Sequence, residues 1–269
     1  MKRLIAIISI PYLLYAQPDF SISGYGSFDV TSAYVLYGAR MNKEPCYWTY
    51  AELAFSENDW GSIGGSLWQN TDMTCNRRNS MRRMNEWDWA TFYRTKYNFT
   101  ENCILNAEIG HIWYKYHGLR GNLAKSTYKT MMEIYGRIEL QNQYLTPYVF
   151  AAYDWKITDG SFITTGVKRD ISLPFDIILT PDITVGGGDD KYLACLYPPW
   201  DKNAVKGSVS YIQLSAKLAY WFTEHFGIHM QFAYSVIAND DIRTAINHDD
   251  ESDYRNQFLW ATCGIDLSF

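Results

Sequence analysis

The sequence predicts an all-β fold: a single antiparallel transmembrane β-barrel of about 12 strands. Three observations predict it: apolar and polar residues alternate, the alternating segments are long, and the connections between them are short and long in turn. Successive side chains of a strand point to opposite faces, so alternation separates an apolar face from a polar one. Soluble sheets favour strands of five or six residues, whereas a tilted strand needs about 9–11 residues to cross a bilayer.

Composition and charge narrow the class of protein. The chain has 269 residues, of which 47% are hydrophobic and 17% aromatic, and its net charge is −5. It is therefore too apolar and too aromatic to be disordered. The negative net charge argues against nucleic acid as a partner.

The N-terminus predicts a signal peptide over residues 1–16, which leaves residues 17–269 for the barrel. Lys2 and Arg3 precede an apolar stretch at 4–15, and Ala16 is a candidate cleavage position. The stretch is too short for a membrane-spanning helix, which needs about 20 residues. An uncleaved amphipathic helix or a buried strand is the alternative reading.

The alternation is clearest at the C-terminus, where Phe269, Leu267 and Ile265 share one face and Ser268 and Asp266 share the other. Applied along the chain, the same pattern predicts strands at 20–37, 46–56, 61–71, 85–97, 103–116, 127–140, 146–157, 161–171, 175–185, 207–222, 226–238 and 255–269. Apart from a tight turn at 158–160, long connections fall on one rim and short ones on the other. That asymmetry is typical of outer-membrane barrels.

Aromatic residues near the predicted strand ends favour two membrane-interface girdles. They are Tyr34, Tyr37, Tyr47, Trp60, Trp87, Tyr97, Trp155, Tyr220, Phe222, Phe226 and Phe269. A sheet in hydrocarbon must close, because no water is present to satisfy the backbone groups of an edge strand. The alternative is a secreted soluble β-sandwich or lipocalin-like barrel, with apolar residues inside.

The long alternating strands after a signal peptide and the final Gly264-Ile265-Asp266-Leu267-Ser268-Phe269 resemble bacterial outer-membrane β-barrel proteins. The segment Val30-Thr31-Ser32-Ala33-Tyr34-Val35-Leu36-Tyr37-Gly38 is also similar to the V-T-S-x-Y-x-x-R-G first strand of an uncharacterised outer-membrane barrel family, with Tyr37 in place of the Arg. The resemblance implies location in the outer membrane, contact with its lipids and lipopolysaccharide, and recognition of Phe269 by the barrel-assembly machinery. It implies no catalytic activity.

Catalytic and metal-binding patterns are sparse, so we predict no enzyme activity, no cofactor and no metal site. No His-x-Ser pair of the outer-membrane phospholipases is present, and no Walker, Rossmann or H-E-x-x-H pattern occurs. The acidic connection at 239–254 is interpreted as a solvated loop rather than a cation site. The arginine-rich connection at 72–84 is a candidate for lipopolysaccharide phosphates or for pairing with the acidic one.

Charged residues on the polar faces are predicted to line the lumen, because a charge facing lipid would cost roughly 2–4 kcal/mol at mid-depth. These candidates are Asp29, Glu52, Arg94, Lys96, Glu108, Glu133, Arg137, Glu139, Asp154, Lys156, Asp176, Lys217, His229 and Asp266. Two functions follow: a narrow passive channel for small polar solutes, or a closed structural or scaffolding barrel that docks a periplasmic or surface partner.

Overall fold

A computed structural model describes residues 20–57, 61–73, 85–117, 130–197, 205–247 and 255–269. The predicted signal peptide, Trp60 and all four arginines of the 72–84 connection lie outside the described residues. So does the second half of the acidic connection, 248–254.

Fifteen strands are described. They are β1 (Phe20–Thr31), β2 (Tyr34–Leu36), β3 (Ala39–Asn42), β4 (Cys46–Glu57), β5 (Ser62–Asp72), β6 (Asn85–Thr100), β7 (Cys103–His117), β8 (Thr130–Asn142), β9 (Thr146–Asp154), β10 (Gly160–Lys168), β11 (Ile171–Ser172), β12 (Ile177–Gly188), β13 (Ser208–Trp221), β14 (Phe226–Ile237) and β15 (Gln257–Ser268).

Twelve of these strands form the wall of a closed antiparallel barrel. Each pairs with its neighbour along the chain, β10 pairs with β12, and β1 pairs with β15 from Tyr25–Ser268 to Thr31–Thr262. Backbone hydrogen bonds of 3.0 and 3.1 Å between Gly24 and Phe269 complete the seam. Closure satisfies the backbone groups that an open edge would leave unpaired, and it confirms the predicted 12-stranded barrel.

The barrel carries apolar side chains outside and charged ones inside, as predicted. Large apolar side chains are exposed on the outer face at alternating wall positions: Ile22, Phe28, Leu53, Ile63, Ile109, Ile134, Ile163, Ile183, Leu214, Phe232 and Leu259. Asp29, Glu133, Asp154 and Asp266 are buried on the inner side. This arrangement suits a lipid exterior and rules out a soluble barrel with an apolar centre.

The two rims differ in the length of their connections. The short-turn rim carries the turns at 101–102, 143–145 and 222–225, and Phe269 also lies there. A single turn of 3₁₀-helix, Pro174–Asp176, lies on the same rim. The opposite, long-loop rim carries the connections that leave β1, β12 and β14.

The first long loop departs from the prediction, which continued β1 to residue 37. The chain instead bends after Thr31 and forms the β2–β3 hairpin, whose turn residues Tyr37 and Gly38 both have positive φ (46° and 77°). A two-residue hairpin turn of this hand needs positive φ at both positions. Gly38 adopts this positive φ without steric cost because it has no side chain, and the Tyr211 ring packs against it. Tyr34 and Tyr37 are therefore not girdle residues.

Two short helices in the long loops were not predicted. Helix α1 (Asp190–Leu196) begins after Asp189, whose side chain accepts a 2.9 Å hydrogen bond from the Tyr192 amide. Helix α2 (Asp240–Asn247) begins after Asn239, whose side chain accepts a 2.9 Å bond from the Ile242 amide. Side-chain oxygens at this position satisfy amides that a helix start leaves free. Among the described residues, no helix is long and apolar enough to cross a bilayer.

Candidate functional site: the barrel lumen

The lumen is bridged near the long-loop rim by residues from three sides of the wall. Glu133 of β8 accepts hydrogen bonds from Tyr192 of α1 (2.5 Å), Tyr114 of β7 (2.8 Å) and Tyr37 of the hairpin (3.3 Å). Four wall strands separate β1 from β8, two separate β8 from β12, and three separate β12 from β1. Loops that follow β1 and β12 therefore reach β8 only by crossing the interior.

Apolar contacts surround this bridge. The Tyr37 ring packs 4.6 Å from Phe162, and Phe162 packs 5.1 Å from Tyr192. Leu193 and Tyr197 of the same loop are fully buried in one cluster with them. Because burial disfavours the phenolate, the pKa values of Tyr37 and Tyr192 lie well above the usual value. Their hydroxyls therefore remain protonated donors to Glu133.

A second contact fixes the start of the hairpin. Tyr34, which is 1% exposed, donates a short hydrogen bond to Glu86 of β6. The pKa of Tyr34 is raised well above its usual value by burial and, next, by the Glu86 charge. Sequence analysis missed Glu86, although it has the same parity as other inward residues of that strand.

Below the bridge, a charged network extends along the wall from β4 to β8. Arg94 binds Glu52 at 2.9 Å and Glu108 at 2.6 Å. Tyr50 donates to Glu52 at 2.5 Å, and Tyr135 donates to Glu108 at 2.7 Å. Three predicted lumen residues are thereby brought into one cluster on β4, β6 and β7.

A second charged cluster lies beside the first, on β8 and the strands that follow it, where Arg137 is the register partner of Glu108. Glu139 contacts Arg137 and accepts a 3.0 Å bond from Lys168 of β10. Tyr148 donates to Asp182 of β12 at 3.1 Å. The side chains of Arg137 and Lys168 remain partly exposed, at 46% and 29%.

The third cluster lies at the seam of the barrel. His229 contacts Asp29 at 2.6 Å through Nε2 and Asp266 at 2.8 Å through Nδ1. All three side chains are less than 10% exposed. Tyr25 donates a further hydrogen bond to Asp266. This cluster joins β1, β14 and β15, which are the strands that close the barrel.

Five predicted lumen residues remain, and three of them lie on the inner side of the wall. Lys96 and Lys217 lie on the inner face of β6 and β13, as expected from their parity. Asp154 is fully buried and accepts bonds from three amides of the turn after β9, at Lys156, Ile157 and Thr158 (2.7–3.2 Å). It therefore holds a turn.

Two candidates lie at the rims, and for them the strand prediction was wrong. Lys156 is exposed in the turn that Asp154 holds, beyond the end of β9. Asp176 is exposed in the 3₁₀ turn, because Pro174 starts that turn before β12 begins. The last residue, Phe269, is 72% exposed and lies against Gly24, where a side chain would collide with its ring.

Four of the five cysteines lie in the described ranges. Cys46, Cys103 and Cys263 have free thiols, while Cys75 lies outside those ranges. No group of three or more His, Cys, Asp or Glu side chains in the part that the structure describes has the arrangement of a metal site.

No protein-family model matches the chain. No curated protein sequence matches it either. Among solved structures, an outer membrane channel from Pseudomonas putida F1 aligns with 94% of this chain and 96% of its own, at 10% identity and a TM-score of 0.51. The translocator domain of the autotransporter NalP from Neisseria meningitidis aligns with 100% and 94%, at 10% identity and a TM-score of 0.50. The KdgM porin aligns with 92% and 99%, at 12% identity and 0.48. At these identities the likeness concerns the fold, which is that of outer-membrane β-barrels.

Proposed function

We propose that the chain is an outer-membrane channel for small polar solutes, with a mouth narrowed by the hairpin and α1. The observation that carries the proposal is the inner wall below the bridge, where partly exposed charged groups face a polar lumen. Paired charges of both signs suit small polar solutes, because they hydrate the lumen without a strong field of one sign.

The proposal includes the surroundings that such a barrel requires. Outer-membrane lipids and lipopolysaccharide would contact the apolar belt, and the short-turn rim would face the periplasm. The barrel-assembly machinery would recognise β15 with its terminal Phe269. We assign no catalytic role, because both ring nitrogens of the inward His229 contact carboxylates and are not free to activate a hydroxyl.

A closed structural or scaffolding barrel is the second candidate. The bridge from Tyr37 and Tyr192 to Glu133 favours it, since these contacts join three sides of the wall across the interior. A barrel closed in this way would act through its rims rather than through its lumen.

Swelling of protein-loaded liposomes in small polar solutes separates the two candidates. The channel predicts swelling that is faster than in protein-free liposomes and that slows as the solute becomes larger. Swelling at the protein-free rate, by barrels shown to be folded from heat-modifiable gel migration, would support the closed barrel.

A further inference from the structure

Two carboxyl groups lie side by side where the β2–β3 hairpin meets the wall. Glu86 and Asp88 are two residues apart on β6, so both side chains lie on the inner face of that strand. Their carboxyl groups share a hydrogen bond. Such a bond needs a proton, because an ionised carboxylate can accept a hydrogen bond but cannot donate one. The pair therefore holds one proton in this arrangement.

The hairpin is fastened to this pair. Tyr34 donates a hydrogen bond to Glu86, and Tyr116 of β7 bonds the same carboxyl group. Glu86 and Tyr34 are both buried, so their contact is shielded from water. The Tyr34 ring also packs 5.9 Å from Trp68, which is the register partner of Asp88. The hairpin therefore covers the carboxyl pair.

A third carboxyl group lies close enough to act on the pair. The charge of Glu133 disfavours ionisation of both Glu86 and Asp88. Glu133 also accepts the 3.3 Å hydrogen bond from Tyr37, which belongs to the same hairpin. Two contacts of the hairpin with the wall thus end on acidic groups, and these groups repel one another when all of them are ionised.

The titratable groups that act most strongly on these three carboxyls, among the residues that the structure describes, are tyrosines and acids. Beyond the three themselves they are Tyr34 and Tyr37 of the hairpin, Tyr114 and Tyr116 of β7, Asp154 of β9 and Tyr192 of α1, while Cys195 of α1 acts on Tyr116. The guanidinium of Arg40, on β3 of the hairpin, lies 5.6 Å from the centre of the Phe258 ring on β15. Three wall strands separate β15 from β6. Loss of the shared proton therefore adds a negative charge among buried groups that are neutral or acidic, which is costly.

We propose that the Glu86–Asp88 pair is a pH-sensitive latch that holds the hairpin in the lumen. While the pair keeps its shared proton, the Tyr34 contact is stable and the hairpin stays in place. When the pH rises, the proton passes to water, and the two carboxylates repel each other and Glu133. Movement of the hairpin then admits water that solvates them. The closed state binds the proton more tightly than the open state, so closure is favoured at low pH and is lost as the pH rises.

The proposal rests on the proposed channel function, because the hairpin narrows the mouth of that channel. Single-channel recording at about pH 5 and about pH 8 tests it, since these values lie above the usual range of exposed carboxyls and below that of phenols. The open probability of the native barrel should rise at least about tenfold between the two. An open probability that stays constant or falls would overturn the latch.

Asp88→Asn is the discriminating variant. Its amide can donate to Glu86 without a titratable proton, so it imitates the protonated pair at similar volume. Its open probability should stay at the low native value at both pH values. Asp190→Asn, at the exposed start of α1, is the matched control and should show the native rise. A native-sized rise in the Asp88 variant, shown to be folded from heat-modifiable gel migration, would overturn the proposal.

Amide hydrogen exchange of residues 34–42 reports on the hairpin without any current. Normalised to the intrinsic exchange rate at each pH, exchange should be faster at the higher pH in the native barrel and not in Asp88→Asn. This pattern without current steps would retain the latch and reject the channel. Current steps with exchange and open probability that do not depend on pH would reject the latch and retain the channel.

Discussion

The Tyr192 hydroxyl lies 2.5 Å from a carboxylate oxygen of Glu133, so a helix in the loop after β12 is tied to the wall at β8, with two strands between them. Tyr37 reaches the same carboxylate from the loop after β1. One acidic residue therefore holds two loops inside the barrel. In the proposed channel, these hydrogen bonds would restrict the mouth.

The double variant Tyr37→Phe, Tyr192→Phe should conduct more than the native barrel. Hydrogen bonds to a charged group contribute roughly 1.5–3 kcal/mol each, so losing two should raise the population of open mouths at least about tenfold. Single-channel recording measures open probability directly. Tyr234→Phe is the control, because its hydroxyl bonds Gln257 on the outer face. Equal open probabilities in all three proteins would contradict a restricting role for the bridge.

Replacing His229 by alanine should destabilise the barrel by about 3–5 kcal/mol. The change leaves the carboxylates of Asp29 and Asp266 buried beside each other without their cation. Urea unfolding from lipid vesicles, followed by tryptophan fluorescence, gives the free energy of unfolding. His225→Ala, at an exposed turn on the same rim, should change it little. A loss below about 1 kcal/mol would show that the seam does not depend on this cluster.

Arg94→Gln should shift the ion selectivity of the channel toward cations. The variant frees Glu52 and Glu108, which then add negative charge to the lumen. The reversal potential in a salt gradient measures the shift. Arg243→Gln on α2 removes the same charge from an exposed pair with Asp240 and serves as the control. An unchanged reversal potential in the Arg94 variant would place the conducting path elsewhere.

Placing an arginine on the outer face should be costly, whereas one on the inner face should be tolerated. Ile109→Arg puts the charge in the apolar belt, at an expected cost of roughly 2–4 kcal/mol near mid-depth. Asn106→Arg on the same strand points inward, opposite Glu139, and should leave the free energy of unfolding nearly unchanged. Equal costs at both positions would contradict the assignment of the two faces.

The wall could be predicted from the sequence because strand periodicity and membrane thickness act on every residue. Eleven of the predicted spans lie within a few residues of wall strands, and the alternation placed Asp29, Glu52 and Arg94 inside. The contents of the mouth could not be predicted in the same way. The hairpin depends on positive φ at Tyr37, a conformation that few tyrosines adopt. The sequence therefore predicted Tyr34 and Tyr37 as the end of a strand and as girdle residues.

The partners of the lumen charges also needed the structure. Parity places a side chain inside but does not say which strand it meets, and Glu133 meets residues from two distant loops. Glu86 was not selected as a lumen residue. Its hydrogen bond from Tyr34 depends on the hairpin, whose position only the three-dimensional structure reveals.

Single-channel recording of the purified barrel in a planar bilayer tests the central claim most directly. The account predicts unitary current steps of small size from native protein that migrates as a folded barrel, and more frequent openings after the two tyrosine substitutions at the bridge. If neither the native barrel nor the double tyrosine variant gives current steps, although both are folded, the result would contradict a conducting lumen and support the closed barrel.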